Sequence, residues 1–375
     1  MLYNDRSGFN RFSSRWMFYL IKSKEIRMYK KLLVGMTVIS AAIAVTQAQA
    51  VQFEKPIKTN VIVTKPDGAG TKKQVMVLNI KLSQKERNLL LNYKPKNFKT
   101  RDLPSSANVG MNNVPVLDQG MHGTCVTFAT TAAMDAILGK GDYISQLCNL
   151  ELGSYLETLG YMPSGWDGSW GAWVFDQMVR FGVVSKDIQT SKGCAGVMDY
   201  PVDNWTNEGN PMTLNEFNKN SIDVSSTAYT VEYLNLFKRF DNKFQDSSSA
   251  WTALQNVKQS IANSHRVLIG TFLVLSPYCS AGACAKHNAA QDTWALTSEI
   301  STPPYFMGGH EMVIYGYDDN ATATDAAGNT YTGLLTLRNS WGSNVGDNGD
   351  YYMTYDYFMK FAGDVQELVP MASDK

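Results

Sequence analysis

Three short segments carry side chains that could do covalent chemistry together. In the first, Pro115 to Cys125 (Pro-Val-Leu-Asp-Gln-Gly-Met-His-Gly-Thr-Cys), a glycine-bearing loop delivers Cys125 to the start of an apolar run that ends at Leu138 and reads as a helix. Unpaired amides and the dipole at a helix N-terminus favour a thiolate, the nucleophilic form of cysteine. In the second, His310 follows Gly308 and Gly309 and opens a strand-like run, and the glycines leave its ring accessible. In the third, Leu335 to Gly342, Asn339 ends another apolar run and Trp341 stands two places on. An asparagine can hold an imidazole in the tautomer that faces a sulfur, and an indole can keep water off that hydrogen bond. Each segment alone has a structural explanation, since a lone cysteine at a helix start is more often a small buried residue.

Together and in this order, the segments resemble the papain family of cysteine peptidases over most of residues 101–375, and Met307-Gly308-Gly309-His310 looks most like the cathepsin B type. The resemblance implies an α+β, two-lobed fold: a helical lobe, about 115–225, and a mainly antiparallel, barrel-like β lobe, about 226–375, with the active-site cleft between them. It assigns Cys125 as nucleophile, His310 as general base and acid, Asn339 as its orienter and Gln119 as the side-chain oxyanion donor. Gly165 to Ser169 corresponds to the family's Gly-Cys-Asn-Gly-Gly, so that Gly168 and Ser169, with Gly309 and Trp341, would contact substrate. Ile144-Ser145-Gln146 and Gly346 to Tyr351 match further family segments. The departures are His122 and Trp166, which replace both ends of one family disulfide, and Val126 in place of the aromatic after the nucleophile.

With Cys125 free, Cys148, Cys194, Cys279 and Cys284 remain for two disulfides, and the count alone allows three pairings. The resemblance favours Cys148 with Cys194, leaving Cys279 with Cys284 as a local clasp. No Cys-x-x-Cys or paired-histidine spacing suggests a metal, and the chemistry needs no cofactor. His265 and His287 stand in no motif.

The elements that must position these groups are legible in outline. Helical patterns run over Cys125–Leu138 and Ala172–Phe181, and a further helix is expected over Trp251–Asn263. Strands are expected over Val267–Leu275, Met312–Tyr317, Gly333–Leu337 and Asp350–Thr354, with a turn-rich insert over Asp318–Thr332 and another between Ser276 and Phe306. Ahead of them, Val61–Val63 and Val75–Ile80 flank the turn formers Pro66 to Gly70 and read as a hairpin. Ser83 with Glu86 marks a capping box for a short helix that must end before Pro95. Residues 51–100 thus form a small module in the place of a prosegment, joined to the body by the polar stretch Lys94 to Asn113.

The apolar run Leu32 to Val45, after Lys30 and Lys31 and before Ala48-Gln49-Ala50, has the regions of a secretory signal peptide over 28–50 and falls short of the roughly 20 residues of a membrane span. Residues 1–27 precede it as an extension, with Met28 a candidate start. The expected location is therefore secreted or periplasmic, without a stable membrane anchor, and the expected state monomeric. The net charge is zero, yet residues 51–100 carry 11 Lys and Arg against 3 Asp and Glu, and residues 101–375 carry 15 against 29. So acidic a body excludes nucleic acid as partner and suggests that the basic module docks on it by charge. The expected partners are a polypeptide substrate and the chain's own prosegment, acting as inhibitor of a secreted zymogen. The competing readings are a catalytically silent binding protein of the same fold and a glutamine-directed acyltransferase or deamidase using the same triad.

Overall fold

In the computed structural model, the structure describes residues 52–371 apart from 64–70, 97–100, 204–209, 237–239, 241–247, 276–291, 302–305 and 326. The expected signal peptide, the extension before it, the turn Pro66 to Gly70, Cys279, Cys284 and His287 therefore lie outside the described residues. Residues 51–375 form one unit.

The chain begins with strands β1 (Gln52–Val63) and β2 (Thr71–Lys81), an antiparallel pair, followed by helix α1 (Gln84–Asn92). The capping box is present: the Ser83 hydroxyl accepts from the Glu86 amide, and the Glu86 carboxylate accepts from the Ser83 amide at 2.7 Å. The stretch read as a linker contains strand β3 (Ser106–Asn108), which pairs with a later strand; apolar Ala107 and Val109 within the polar run pack on the sheet core. Helices α2 (Cys125–Leu138), α3 (Gln146–Thr158), α4 (Gly171–Phe181), α5 (Lys186–Lys192) and α6 (Leu214–Asn218) then make the helical lobe. Helix α2 is almost wholly buried, its threonines and Asp135 included. It ends at Gly139, whose φ of +67° is the left-handed conformation that closes a helix and suits glycine.

The second lobe comprises strand β4 (Ala228–Leu234), helix α7 (Ser249–Ala262), strands β5 (Arg266–Leu275) and β6 (Thr293–Trp294), the short helix α8 (Ser298–Ser301), strands β7 (Phe306–Thr324), β8 (Thr330–Arg338) and β9 (Asp350–Thr354), helix α9 (Tyr355–Phe361) and strand β10 (Ala362–Pro370). The sheet runs β4-β10-β5-β7-β8-β9-β6, antiparallel except for β6 on β9. The expected loop over Asp318–Thr332 is instead an extension of the β7–β8 hairpin, with Thr322 opposite Thr332 and Thr324 opposite Thr330. Its threonines and tyrosine suit a two-sided ribbon, and the Asp325 carboxylate closes the turn by accepting from the amides of Ala327 and Asn329. Strands β4 and β10 escaped the sequence reading because β10 carries Asp364, Gln366 and Glu367 among its apolar residues.

Helix α2 joins the lobes: Phe128, Ala129, Ala132 and Ala133 share a core with Leu268 of β5, Val313 of β7 and Leu368 of β10. The helices around α3 form their own core, stitched by the disulfide between Cys148 and Cys194, the pairing that the resemblance favoured. Among the described residues Cys125 is the free cysteine. No described helix is long and apolar enough to cross a membrane. Replacing Cys148 and Cys194 by serine together should lower stability by about 2–4 kcal/mol, read as a fall in denaturation midpoint that a reducing agent reproduces in the unmodified chain. An unchanged midpoint would mean that the bridge does not form.

Candidate active site

Cys125 is the first residue of α2 and is fully buried. Thr124 supplies no side-chain cap, so the first amides of the helix remain free to face the sulfur. Burial pushes the thiol up to about 12, against the pull of the amides of Glu311, Val126 and Cys125 itself, while the Glu311 carboxylate pushes the same way as burial. The sulfur therefore lies beside the backbone of the residue that follows His310.

His310 lies on β7 opposite Thr271 of β5 and is also buried. Its Nε2 is 2.7 Å from Asn339 Oδ1, which also accepts from the Ser340 amide at 2.7 Å. The second donor fixes which end of the amide faces the ring. An amide oxygen only accepts, so Nε2 carries the proton and Nδ1 holds the lone pair; Nδ1 makes no hydrogen bond among the described residues. Trp341, fully buried, stacks on the imidazole at 4.4 Å between centroids. Burial holds His310 down at about 4 against the raising effect of Asn339. The thiol and imidazole are thus both neutral here, whereas a thiolate was expected at the helix start. The physical reason is that burial outweighs the amides at the sulfur and Asn339 at the ring.

Gln119 is tied to the same strand end. Its amide donates to the Ser340 carbonyl, and its Oε1 accepts from Ser340 Oγ, both at 2.8 Å. The side-chain nitrogen then donates to the His122 carbonyl at 2.8 Å and, weakly, toward the Met76 carbonyl of β2 at 3.5 Å. His122 and Trp166, read as stand-ins for a family disulfide, do meet: their rings lie 5.1 Å apart, edge to face. Tyr200 stacks on Trp166 and its hydroxyl reaches the Gln119 carbonyl and Thr124 Oγ1, each at 2.8 Å. An aromatic cluster thus braces the loop that carries Gln119 and Cys125. No motif in the sequence singled out Tyr200.

Strand β2 covers this constellation. Leu78 packs on Cys125, Val126 and Val174, with Ile80 against the cluster, and pairs with Gly309. A Cβ on Gly309 would lie 2.3 Å from Ile80 Cδ1, and one on Gly123 would lie 2.6 Å from Pro56 Cγ of β1, so glycine at both places admits the hairpin. Ser169 is buried in the cavity under β2, and Gly168, at φ +133°, precedes it. Charge and apolar packing both join the module to the body. An ion pair, Lys73 with Asp118, joins module and body at 2.5 Å, and Lys73 also donates to the Trp341 carbonyl. The apolar part is extensive: Val75, Val77, Leu82, Leu90 and Tyr93 belong to the core of the β lobe.

The same cavity exposes two residues that the sequence reading passed over, Glu311 and Asp364. Glu311 had a signal, a lone charge within the run Met312 to Tyr317 and the histidine before it. His265 pairs with Glu367 at 2.8 Å, away from the site. Among the described residues no group of three or more His, Cys, Asp or Glu is arranged to hold a metal ion.

No protein-family model matches the chain, and no curated protein does. Among solved structures, the chain is similar to xylellain, a cysteine protease from Xylella fastidiosa, at 16% identity over 74% of this chain and 94% of that one, with a TM-score of 0.45. It is similar to the proform of the ragweed pollen allergen Amb a 11, a cysteine protease, at 16% identity over 78% and 75%, with a TM-score of 0.44. Procathepsin L 3 of the Tenebrio molitor larval midgut matches 93% of this chain and 95% of its own at 15% identity, with a TM-score of 0.42.

Proposed function

We propose that this chain is the precursor of a secreted, papain-like cysteine peptidase, with residues 51–100 as its inhibitory prosegment. The observation that carries the reading is the free Cys125 at a helix start, beside an Asn339-held His310 whose lone-pair nitrogen has no partner, both beneath a strand of the same chain. A structural cysteine and histidine need no such cover. A groove built to receive an extended peptide does, until the peptide is wanted.

Once β2 leaves, water reaches the pair and the burial that holds it neutral is lifted. The thiol proton passes to His310 Nδ1, and the thiolate attacks a peptide carbonyl carbon. As the C–S bond forms, the carbonyl π electrons move to oxygen, and Gln119 Nε2 with the Cys125 amide stabilises that charge. Nδ1 then returns its proton to the leaving amine as the C–N bond breaks. Water, deprotonated by the same nitrogen, releases the acyl group from the sulfur. Asn339 keeps the ring in one tautomer throughout, and Trp341 shields their hydrogen bond.

Acid acts on the cover in two directions. His310 is held below its ordinary 6.5, so its contribution to the covered state is complete above that value and is lost as pH falls through about 4. Asp364, raised to about 7 by burial, and Glu311, raised well above its ordinary value by burial and then by Asp364, work the other way and resist opening at low pH, so release in acid requires His310 to outweigh both.

At pH 7 a thiol near 12 is ionised about once in 10⁵ molecules, so Cys125 in the intact chain should alkylate with iodoacetamide far more slowly than a free thiol. Leu78→Asp should expose it and raise the rate by orders of magnitude; equal rates in the two chains would show that β2 does not protect the sulfur. Incubated between pH 4 and 5, the unmodified chain should lose residues before about 101, as N-terminal sequencing would reveal, while Cys125→Ala stays whole. A chain that remains whole alongside Cys125→Ala would end the self-processing reading. In the processed protein, Gln119→Ala should lower kcat roughly 10²-fold or more with little change in KM; an unchanged kcat would remove Gln119 from the reaction.

A further inference from the structure

The loop that carries Gln119 and ends at Cys125 is closed by one hydroxyl from outside it. Tyr200 Oη donates to the Gln119 carbonyl at 2.8 Å, and a carbonyl oxygen can only accept. The single proton of the phenol is thereby committed, so the 2.8 Å contact with Thr124 Oγ1 is a bond that Thr124 donates. A relay runs from Thr124 through Tyr200 to Gln119 and spans the loop end to end. At one end stands the residue whose side chain would be the first oxyanion donor. At the other stands the residue next to the second donor, the Cys125 amide. The Thr124 hydroxyl serves this relay and makes no cap hydrogen bond to helix α2.

The segment that presents Tyr200 is itself fastened across the loop. His122 Nε2 donates to the Pro201 carbonyl at 2.6 Å, and the Met121 amide donates to the Val202 carbonyl at 2.9 Å. Gly120, at φ +58°, lets the two backbones cross, since a Cβ there would lie 2.0 Å from the Val202 oxygen. The Tyr200 ring is stacked on Trp166 with 6° between the planes and meets His122 and Phe128 edge to face at 5.6 and 5.0 Å. Aromatic contacts on several sides fix where the hydroxyl points. Gln119 is thus held from two lobes: Ser340 takes its amide and its side-chain oxygen, and Tyr200 takes its carbonyl. That carbonyl belongs to the peptide plane shared with Gly120, and glycine offers little resistance to rotation of the plane. The Tyr200 bond supplies the resistance that the sequence at 120 lacks.

We infer that Tyr200 is a positioning residue for acyl transfer, its hydroxyl fixing the Gln119 side chain and the Cys125 amide relative to each other so that both reach one oxyanion. The inference rests on the peptidase reading and gives Tyr200 no contact with substrate. Donors stabilise a developing charge most when they need no rearrangement as it appears. A loop free to turn at Gly120 would have to be reordered at each turnover, and the loss would fall on the chemical step rather than on substrate binding.

The test compares the processed wild-type protein with Tyr200→Phe, Gln119→Ala and the two together, with active sites titrated. Tyr200→Phe keeps the stacked ring and removes only the hydroxyl. It should lower kcat roughly 3- to 30-fold, what the loss of one or two hydrogen bonds is worth, with KM nearly unchanged. Alkylation of Cys125 by iodoacetamide forms no oxyanion, so its rate should stay within about twofold of wild type. The losses of Tyr200→Phe and Gln119→Ala should not multiply: the double variant should exceed the product of the two by about 3-fold or more, because one change acts through the other. An unchanged kcat, a fall in kcat matched by a fall in alkylation, or losses that multiply would each overturn the inference, the last two marking a structural role only. Where Tyr200→Phe does not fold, Thr124→Val removes the other donor of the relay and must meet the same three criteria. A wild-type chain that cleaves nothing defeats the peptidase reading and this inference with it, whereas an active wild type equalled by Tyr200→Phe defeats the inference alone.

Discussion

Exclusion of water from Cys125 and His310 by strand β2 is the constraint on which the state of this molecule depends. A thiolate and an imidazolium each need solvent or opposite charge close by, and in the covered state the charge that reaches the sulfur most directly is the unfavourable one of Glu311. Both groups therefore stay neutral, the sulfur pushed up and the ring pushed down by the same cause. The rest of the site is already in place: Asn339 fixes the tautomer, Ser340 fixes the orientation of both Asn339 and Gln119, and Trp341 stacks on the ring. On the peptidase reading proposed above, the cover would withhold reactivity by changing the dielectric around these groups, without disassembling them.

What the sequence made legible follows from which interactions are local. Helix α2 could be read to its ends because its apolar run, its glycine cap and its start at Cys125 are all encoded within 15 consecutive residues. The capping box of α1 was legible for the same reason. Strand β10 was not, because Asp364, Gln366 and Glu367 break any apolar pattern, and they are tolerated only through what surrounds them in three dimensions. The hairpin extension past Asp318 looked like loop because its alternation faces solvent on much of its length.

The site shows the same division. Cys125, His310, Asn339 and Gln119 could be named because their motifs are contiguous. Tyr200 could not, since its two hydroxyl contacts bind it to a loop some 80 residues away. The pair His122 and Trp166 lies between these cases. Their joint departure from the family pattern was visible as two substitutions, but that an edge-to-face ring contact takes the place of the bridge, with Tyr200 stacked behind it, is a fact of packing alone. Charge composition is coarser still: a basic module beside an acidic body suggests electrostatic docking, but net charge sums over solvated side chains and names no pair such as Lys73 with Asp118.

The strength of the cover can be apportioned from its contacts. Backbone pairing between β2 and β7 is confined to Leu78 with Gly309, so the strand does not extend the sheet by a full ladder. The Lys73 to Asp118 pair is about a quarter to a third exposed, where an ion pair is worth about 0–1 kcal/mol. Apolar burial is the larger contribution, at about 1.5–3 kcal/mol for each fully buried aliphatic side chain, and Val75, Val77 and Leu78 of β2 are buried to that degree. Farther on, Lys360 of α9 donates to the carbonyls of Leu91 and Tyr93, pinning the end of α1 to the body. Hold and release are thus spatially separate. The module is anchored through α1 and the β lobe, away from Cys125, while the stretch over Cys125 is held chiefly by the side chains of Leu78 and Ile80, which on the precursor reading would be the part to open. A cover built on a full backbone ladder would have to break in register along its length; one built on Leu78 and Ile80 can lift locally and leave its anchor behind.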